Sequence, residues 1–246
     1  MKGAAPRGLR SGQVAEVLRA GVLRDSADGA LTALLDLAVE SCGWSSGSIT
    51  EVTADPGPVT IAAVADVAPV VDRLQRQLGE GPMFDAIGDD PLQQVSDLAV
   101  DGRWPRWSAA AMAAGVRSTL VLRLFTDRAI GTMNLYSTGR RQIDDTAIDD
   151  ARTLAAHASV QLAMLGREAQ LLRTMQHKTL IGRAQGMLMQ KYGLDENRAY
   201  RMLSWIAQQN QVEIGALAEC FTRTGVLPVS PEFCGSGPGE HAVMTG

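Results

Sequence analysis

Apolar residues recur along this chain with two different periods, and the change between them marks its organisation. From Val14 to Glu40 the period is helical: Leu31, Leu34, Leu35 and Ala38 share one stripe, and Ser41–Gly47 (SCGWSSG) supplies turn residues that end it. Alternation follows in SITEVTA (Ser48–Ala54) and VTIAAVA (Val59–Ala65), joined by the Pro56–Pro58 turn, which predicts a hairpin. A helical patch over Val67–Asp90 is broken by Gly79, Gly81 and Pro82. Leu92–Leu98 reads as a short strand, and Trp104–Gly115 as a helix closed by glycine. Ser118–Asp127 and Ala129–Thr138 alternate strongly and predict two strands. The first part of the chain is therefore α+β, an antiparallel sheet with flanking helices.

From Ile143 the pattern turns helical and stays so. Ile148, Ala151, Ala155, Ala158, Leu162, Leu165, Ala169 and Leu172 are spaced 3, 4, 3, 4, 3, 4, 3. A seam of that regularity predicts either a helix that pairs with a second copy of itself or one that lies on its own sheet. Three helices then close the ordered part. The first ends at Gly193, and the second starts after Asp195 and runs to about Gln209. The third starts near Asn210, where Asn210 and Glu213 have capping-box spacing, and ends at Gly225. Met1–Gln13 lacks a pattern and is expected to be disordered; residues 226–246, rich in Pro and Gly, are expected to form a flexible tail.

Gly186 interrupts the first of those helices, within GRAQGMLMQKYG, at a cost of about 1 kcal/mol relative to alanine. Close packing of three short helices is the expected reason; approach of a ligand to a surface bearing Arg183, Gln185, Gln190 and Lys191 is the alternative. On a wheel of the second helix, Ala199, Leu203, Ile206 and Ala207 form the core arc. Arg198, Arg201, Trp205, Gln208 and Gln209 form the opposite one. Guanidinium groups, an indole and amides together suit nucleic acid, because they can meet phosphates, stack on an unpaired base and read base edges. The same arc also reads as a solvated face, or as a surface on which Trp205 docks a protein.

Charge sharpens this picture. Gln170–Gly225 carries seven Lys/Arg against four Asp/Glu, whereas the remainder carries sixteen against twenty-three, so a basic end follows an acidic body. Cys42, Cys220 and Cys234 are three and scattered, which fits a reducing cytoplasm; His157, His177 and His241 form no cluster, so no metal site is expected. No apolar run nears the roughly 18 residues of a membrane span, and the N-terminus has no secretory pattern. The pairs Asp89–Asp90, Asp144–Asp145 and Asp149–Asp150 flank turns or open helices, where carboxylates serve as caps. Without a partnered base, nucleophile or phosphate loop, no catalytic residue and no cofactor is expected.

The segment Leu180–Gly225 resembles the ANTAR domain. The likeness is carried by Ile181–Leu188 (I-x-x-A-x-G-x-L), Tyr192–Gly193, Glu196–Leu203 (E-x-x-A-Y-x-x-L), Asn210 and Ile214–Ala218. Gln185 stands where that family frequently has lysine, and Ser204 and Trp205 where it often has basic residues. The region from about Val14 to Leu165 resembles a GAF sensory domain through LGEGPMFDAI (Leu78–Ile87), VSDL (Val95–Leu98), DGRWPRW (Asp101–Trp107) and AIGTMNLYS (Ala129–Ser137). Many such domains carry cysteine where Met83 stands, so a thiol sensor at that position is not expected. The resemblance implies a GAF-like domain over 14–165, a connecting and dimerisation helix over 143–180 and a three-helix ANTAR bundle over 175–225. It implies a cytoplasmic antiterminator that binds tandem stem-loops of nascent RNA as a homodimer, with no membrane partner, under an unknown small-molecule or protein signal at the GAF domain. Arg183, Lys191, Arg198 and Arg201 are the expected backbone contacts, and Gln185, Trp205, Gln208 and Gln209 the expected base contacts. The alternative is a ligand-sensing module whose helical end docks a protein.

Overall fold

The computed structural model describes residues 12–22, 27–54 and 57–227. It divides into two compact units, Met1–Gly166 and Arg167–Gly246. The expected disordered start and most of the expected tail lie outside the described residues.

The first unit contains α1 (Gln13–Val22), α2 (Ala27–Ser41), β1 (Ser46–Glu51), β2 (Val59–Val64), α3 (Val67–Leu78), α4 (Pro82–Ile87), β3 (Leu92–Val95), α5 (Pro105–Ala113), β4 (Ser118–Phe125) and β5 (Ala129–Ser137), followed by the start of α6 (Asp145–Tyr192). The strands form one antiparallel sheet in the order β2-β1-β5-β4-β3. Two expectations are corrected. The helical pattern over Val14–Glu40 is two helices, α1 and α2, on either side of residues 23–26. β3 ends at Val95 rather than Leu98, because the Asp97 carboxylate accepts the Ala99 N–H (3.0 Å) and pairs with Arg117 (2.7 Å) and Arg140 (2.6 Å), turning the backbone out of the sheet.

The two faces of the sheet differ in chemistry. Ile49, Leu120, Leu122, Leu124, Met133 and Leu135 point to one side, where Leu31, Leu34, Leu35 and Ala38 of α2 and Ala151, Leu154, Ala155, Ala158 and Leu162 of α6 cover them. The first half of the heptad-like seam thus packs on its own sheet. Gly131 permits this closeness: a Cβ there would lie 2.1 Å from the Thr50 carbonyl oxygen and 2.9 Å from Leu162.

Strand alternation sends Ser48, Thr50, Thr119, Thr132, Asn134 and Tyr136 to the other side, and all six are buried. Burial of so many polar groups is tolerable where they hydrogen-bond. Each makes at least one bond, Thr119 Oγ1 to the Leu135 carbonyl (3.0 Å) within the sheet, and of their side-chain atoms Asn134 Oδ1 is left without a partner among the described residues. Tyr136 Oη donates to Asp72 Oδ1 of α3 (2.7 Å), Thr60 Oγ1 to Asp72 Oδ2 (2.9 Å) and Asn134 Nδ2 to Ser48 Oγ (3.0 Å). Gln75 Nε2 donates to Tyr136 Oη (3.1 Å), while Gln75 Oε1 accepts the Met83 N–H (2.8 Å) at the start of α4. The Thr50 and Thr132 hydroxyls share a hydrogen bond of 2.6 Å. Beside this network Trp104 and Trp107 pack edge to face at 6.0 Å. Trp104 Nε1 donates to Asp85 (3.0 Å) and the Trp107 N–H to Glu80 (2.7 Å), so the two tryptophan-bearing and glycine-bearing motifs are one another's partners.

The second unit is built from the later part of α6, α7 (Glu196–Gln209) and α8 (Ile214–Thr224). Ala184 and Leu188 of α6, Ala199, Leu203, Ile206 and Ala207 of α7, and Leu217, Ala218 and Phe221 of α8 form its core. Gly193 (φ +63°) and Gly225 (φ +70°) end α6 and α8 in the left-handed conformation, and Asp195 caps α7 by accepting the Arg198 N–H (2.8 Å). Two further expectations are corrected. Asn210 opens no capping box: its side chain donates to the Ile206 carbonyl (2.8 Å) and closes α7, and α8 begins after an extended Glu213. Nor does Gly186 mediate close packing, since a Cβ there would meet nothing within 4 Å. The close approach belongs to Gly215, whose absent Cβ would lie 2.7 Å from the His177 ring.

Burial raises the Asp72 carboxyl above its ordinary value of 3.8, with hydrogen bonds from Ser48, Tyr136 and Thr60 opposing, and burial drives the Tyr136 phenol well above 10.0. A native carboxyl pKa above the unfolded one contributes stability that is full below the unfolded value and lost as pH rises through the native one. The neutral variant Asp72→Asn, whose amide keeps an acceptor for Tyr136 and donates to the Thr60 hydroxyl where the carboxyl accepted from it, removes that decline. In urea melts of the full chain from about pH 4 to 8, the parent loses stability relative to the variant by about 1.4 kcal/mol per unit of pKa elevation.

Candidate nucleic-acid interface

The outward face of α7 is assembled as the helical wheel requires. Arg198, Arg201, Trp205, Gln208 and Gln209 are all exposed, Trp205 at 62%, while Ala199, Leu203, Ile206 and Ala207 hold the opposite face in the core. Trp205 therefore packs on neither neighbouring helix, although an indole left in water forgoes the burial that normally stabilises it. Arg198 Nε lies 3.3 Å from Asp195 Oδ2, an exposed i,i+3 pair of small energetic weight that a phosphate can replace. Arg201 makes no side-chain hydrogen bond or ion pair among the described residues.

The three candidates on α6 go to different places. Gln185 is partly buried, and its Nε2 donates to the Glu196 carbonyl (3.3 Å), tying α6 to the first turn of α7. Lys191 Nζ donates to the Gly225 carbonyl (3.3 Å) at the end of α8 and lies 5.7 Å from the Tyr192 ring centre. Arg183 is exposed and stands on the wall of a groove of about 550 Å³ between α6 and α8, with Arg223 and Glu219 of α8. Sequence reading did not select Arg223 or Glu219. Their i,i+4 spacing marks a polar face of α8, but which helix that face adjoins is a tertiary fact.

Met83 and Cys42 both lie in the interior of the first unit. Met83 is fully buried and its sulfur accepts from Thr50 Oγ1 (3.6 Å), so the space under α3 and α4 holds side chains of the domain itself. Cys42 is buried, its thiol pushed up by that burial, and the Arg141 guanidinium donates to the Cys42 carbonyl and lies 4.5 Å over the Trp44 ring. His157 is partly buried; Cys234 and His241 lie outside the described residues. Asp144 accepts the Ala147 N–H (2.8 Å) and Asp90 the Leu92 N–H (3.3 Å), turn and cap roles as their sequence positions suggest. Among the described residues no group of three His, Cys, Asp or Glu side chains is placed to hold a metal ion, and no helix is long and apolar enough to cross a membrane.

Comparison with known proteins follows the same division. No curated protein matches the chain. Among solved structures, the GAF domain of a phosphoenolpyruvate-protein phosphotransferase from Coxiella burnetii is similar with a TM-score of 0.50 and 12% identity, over 64% of this chain and 97% of that one. The GAF domain of a phosphoenolpyruvate-protein phosphotransferase from Acinetobacter gives 0.49 and 14%, over 65% and 99%. At 12% identity the first of these speaks for fold alone. The family model of the GAF domain matches residues 25–163 and that of the ANTAR domain residues 169–221. These are regulatory rather than catalytic domains, a sensory module followed by an RNA-binding output module of antitermination. The chain belongs to the GAF domain family and carries an ANTAR domain after it.

Proposed function

We propose that this protein is a cytoplasmic antitermination regulator that binds paired stem-loops of nascent RNA as a homodimer. The observation that carries the reading is the α7 face: two arginines, an exposed tryptophan and two glutamines on one side of a helix whose other side is fully in the core. Arg198 and Arg201 would neutralise backbone phosphates, with Arg183 and Lys191 adding charge from α6. Trp205 would stack on an unpaired base, and Gln208 and Gln209 would bond base edges, while Gln185 contributes chiefly by holding α6 to α7. Stabilising a paired-hairpin structure would then compete with a terminator.

Dimerisation is supported by the second half of the seam. Residues 167–176 of α6 are exposed without a break, and Leu171 (66%), Leu172 (54%) and Met175 (66%) are apolar surfaces with nothing covering them. A second copy of the same helix would cover them in a self-complementary way. The GAF unit would act on the output through α6, the helix in which the two units meet in sequence, by shifting a population rather than by chemistry. Its signal would be a small molecule or a protein.

Two experiments test these readings. Arg198→Ala with Arg201→Ala weakens hairpin binding and lowers the slope of log affinity against log salt by about 1 per arginine, with helix content unchanged by circular dichroism. An unchanged slope removes α7 from the interface. Leu172→Glu with Met175→Glu converts a dimer to a monomer in sedimentation. It also abolishes an avidity advantage of tandem over single hairpins of about 10²–10⁴-fold. A parent that sediments as a monomer, or that shows no preference for tandem hairpins, refutes the dimeric reading.

A further inference from the structure

The groove between α6 and α8 lies on a part of the second unit that the α7 face does not include, and three of its features have no explanation in the fold. Its volume is about 550 Å³, and it is a shallow groove open to solvent rather than an enclosed cavity. Gly186 contributes to its lining, in mid-helix, at a position where a Cβ would meet nothing within 4 Å. The helix thus carries a cost of about 1 kcal/mol that no contact within the unit requires. Finally, Arg183, Gln190, Glu219 and Arg223 line the same groove, yet none has a side-chain hydrogen bond or ion pair among the described residues.

These groups are complementary to one kind of occupant. A side chain at Gly186 would take up groove space, so its absence leaves room for a flat ring against the helix backbone, and Met187 beside it offers a polarisable apolar surface. Glu219 can only accept when ionised, and Gln190 can donate and accept. Arg183 and Arg223 supply charge-assisted donors for anionic oxygens. An acidic peptide would meet Glu219 unfavourably and a basic one would meet the two arginines. A nucleotide satisfies both signs at once, with amino hydrogens on the base and negative charge on the phosphates.

We infer that this groove seats one unpaired base bearing an exocyclic amino group, donated to Glu219, while the flanking phosphates meet Arg183 and Arg223. The inference rests on the RNA-binding reading above and adds a second contact surface to it.

The test uses the full chain and two RNAs with identical tandem stems, one with all-adenosine loops and one with all-uridine loops, since uracil has no exocyclic amino group. The parent prefers the adenosine loops by about 10- to 100-fold, the range of one well-formed polar base contact. Gly186→Leu, which fills the groove, and Glu219→Ala, which leaves its shape but removes the acceptor, each bring adenosine-loop affinity down to the uridine-loop value. Uridine-loop affinity and its salt slope stay unchanged, whereas the adenosine-loop slope falls to the uridine-loop value as the Arg183 and Arg223 phosphate contacts are lost. Gly186→Leu also raises thermal stability because the glycine penalty is relieved. Equal binding of both loops by the parent, or a preference that survives in both variants, overturns the groove assignment while hairpin binding stands. Failure of the parent to bind either RNA at low salt overturns both readings together.

Discussion

The hydrogen bond from Tyr136 to Asp72 is the constraint on which the first unit depends. It joins the central strand of the sheet to the helix laid across it, and Thr60 and Gln75 bond directly to that pair. Asp72 fixes Thr60 on the edge strand; Tyr136 fixes Gln75, and Gln75 in turn receives the first turn of α4. A carboxylate this deeply buried is costly unless its oxygens are bonded. The geometry is therefore held by the penalty for leaving it. One face of the sheet coheres by apolar packing, which tolerates small shifts, and the other by directional bonds, which do not.

Much of this was legible in the sequence because period and punctuation report local physics. Strands β4 and β5 follow from strict alternation, α7 from its cap at Asp195 and its two opposed arcs, and the α+β division from the order of those signals. The polar face was hidden because Ser48, Thr50, Thr132 and Asn134 alternate as solvent-facing residues would; only the helices above show that they face inward. Asn210 misled for a related reason. The same amide satisfies a helix start or a helix end, and spacing to Glu213 cannot say which carbonyls are free. Gly186 carries no close approach and Gly215 does, a difference hidden because a glycine in sequence does not reveal what its missing Cβ would have touched.

The candidate interface divides in the same way. The α7 face could be read from one helix alone, so the five residues on it were found together. The α6 and α8 groove could not, because its two walls come from helices whose adjacency is set by the core residues Leu188, Leu217 and Phe221. Charge beside the Gly186 interruption marks Arg183 in the sequence and no such signal marks Arg223, although both line one groove.

Helix α6 changes its means of support along its length. Up to Leu162 it is held by the sheet, and from Ala184 by α7 and α8, but from Arg167 to Gln176 every residue faces water. A helical run that short is marginal when left to its own backbone bonds. Its order is thus borrowed from whatever is folded at its ends and from whatever covers Leu171, Leu172 and Met175. On the proposed function, a link of that kind transmits only while it is whole. Fraying of a few backbone bonds there would disconnect sensor from output as completely as deleting either, at a far smaller energetic cost than unfolding a domain. On the proposed function, this stretch of α6 is in that sense an economical place for control.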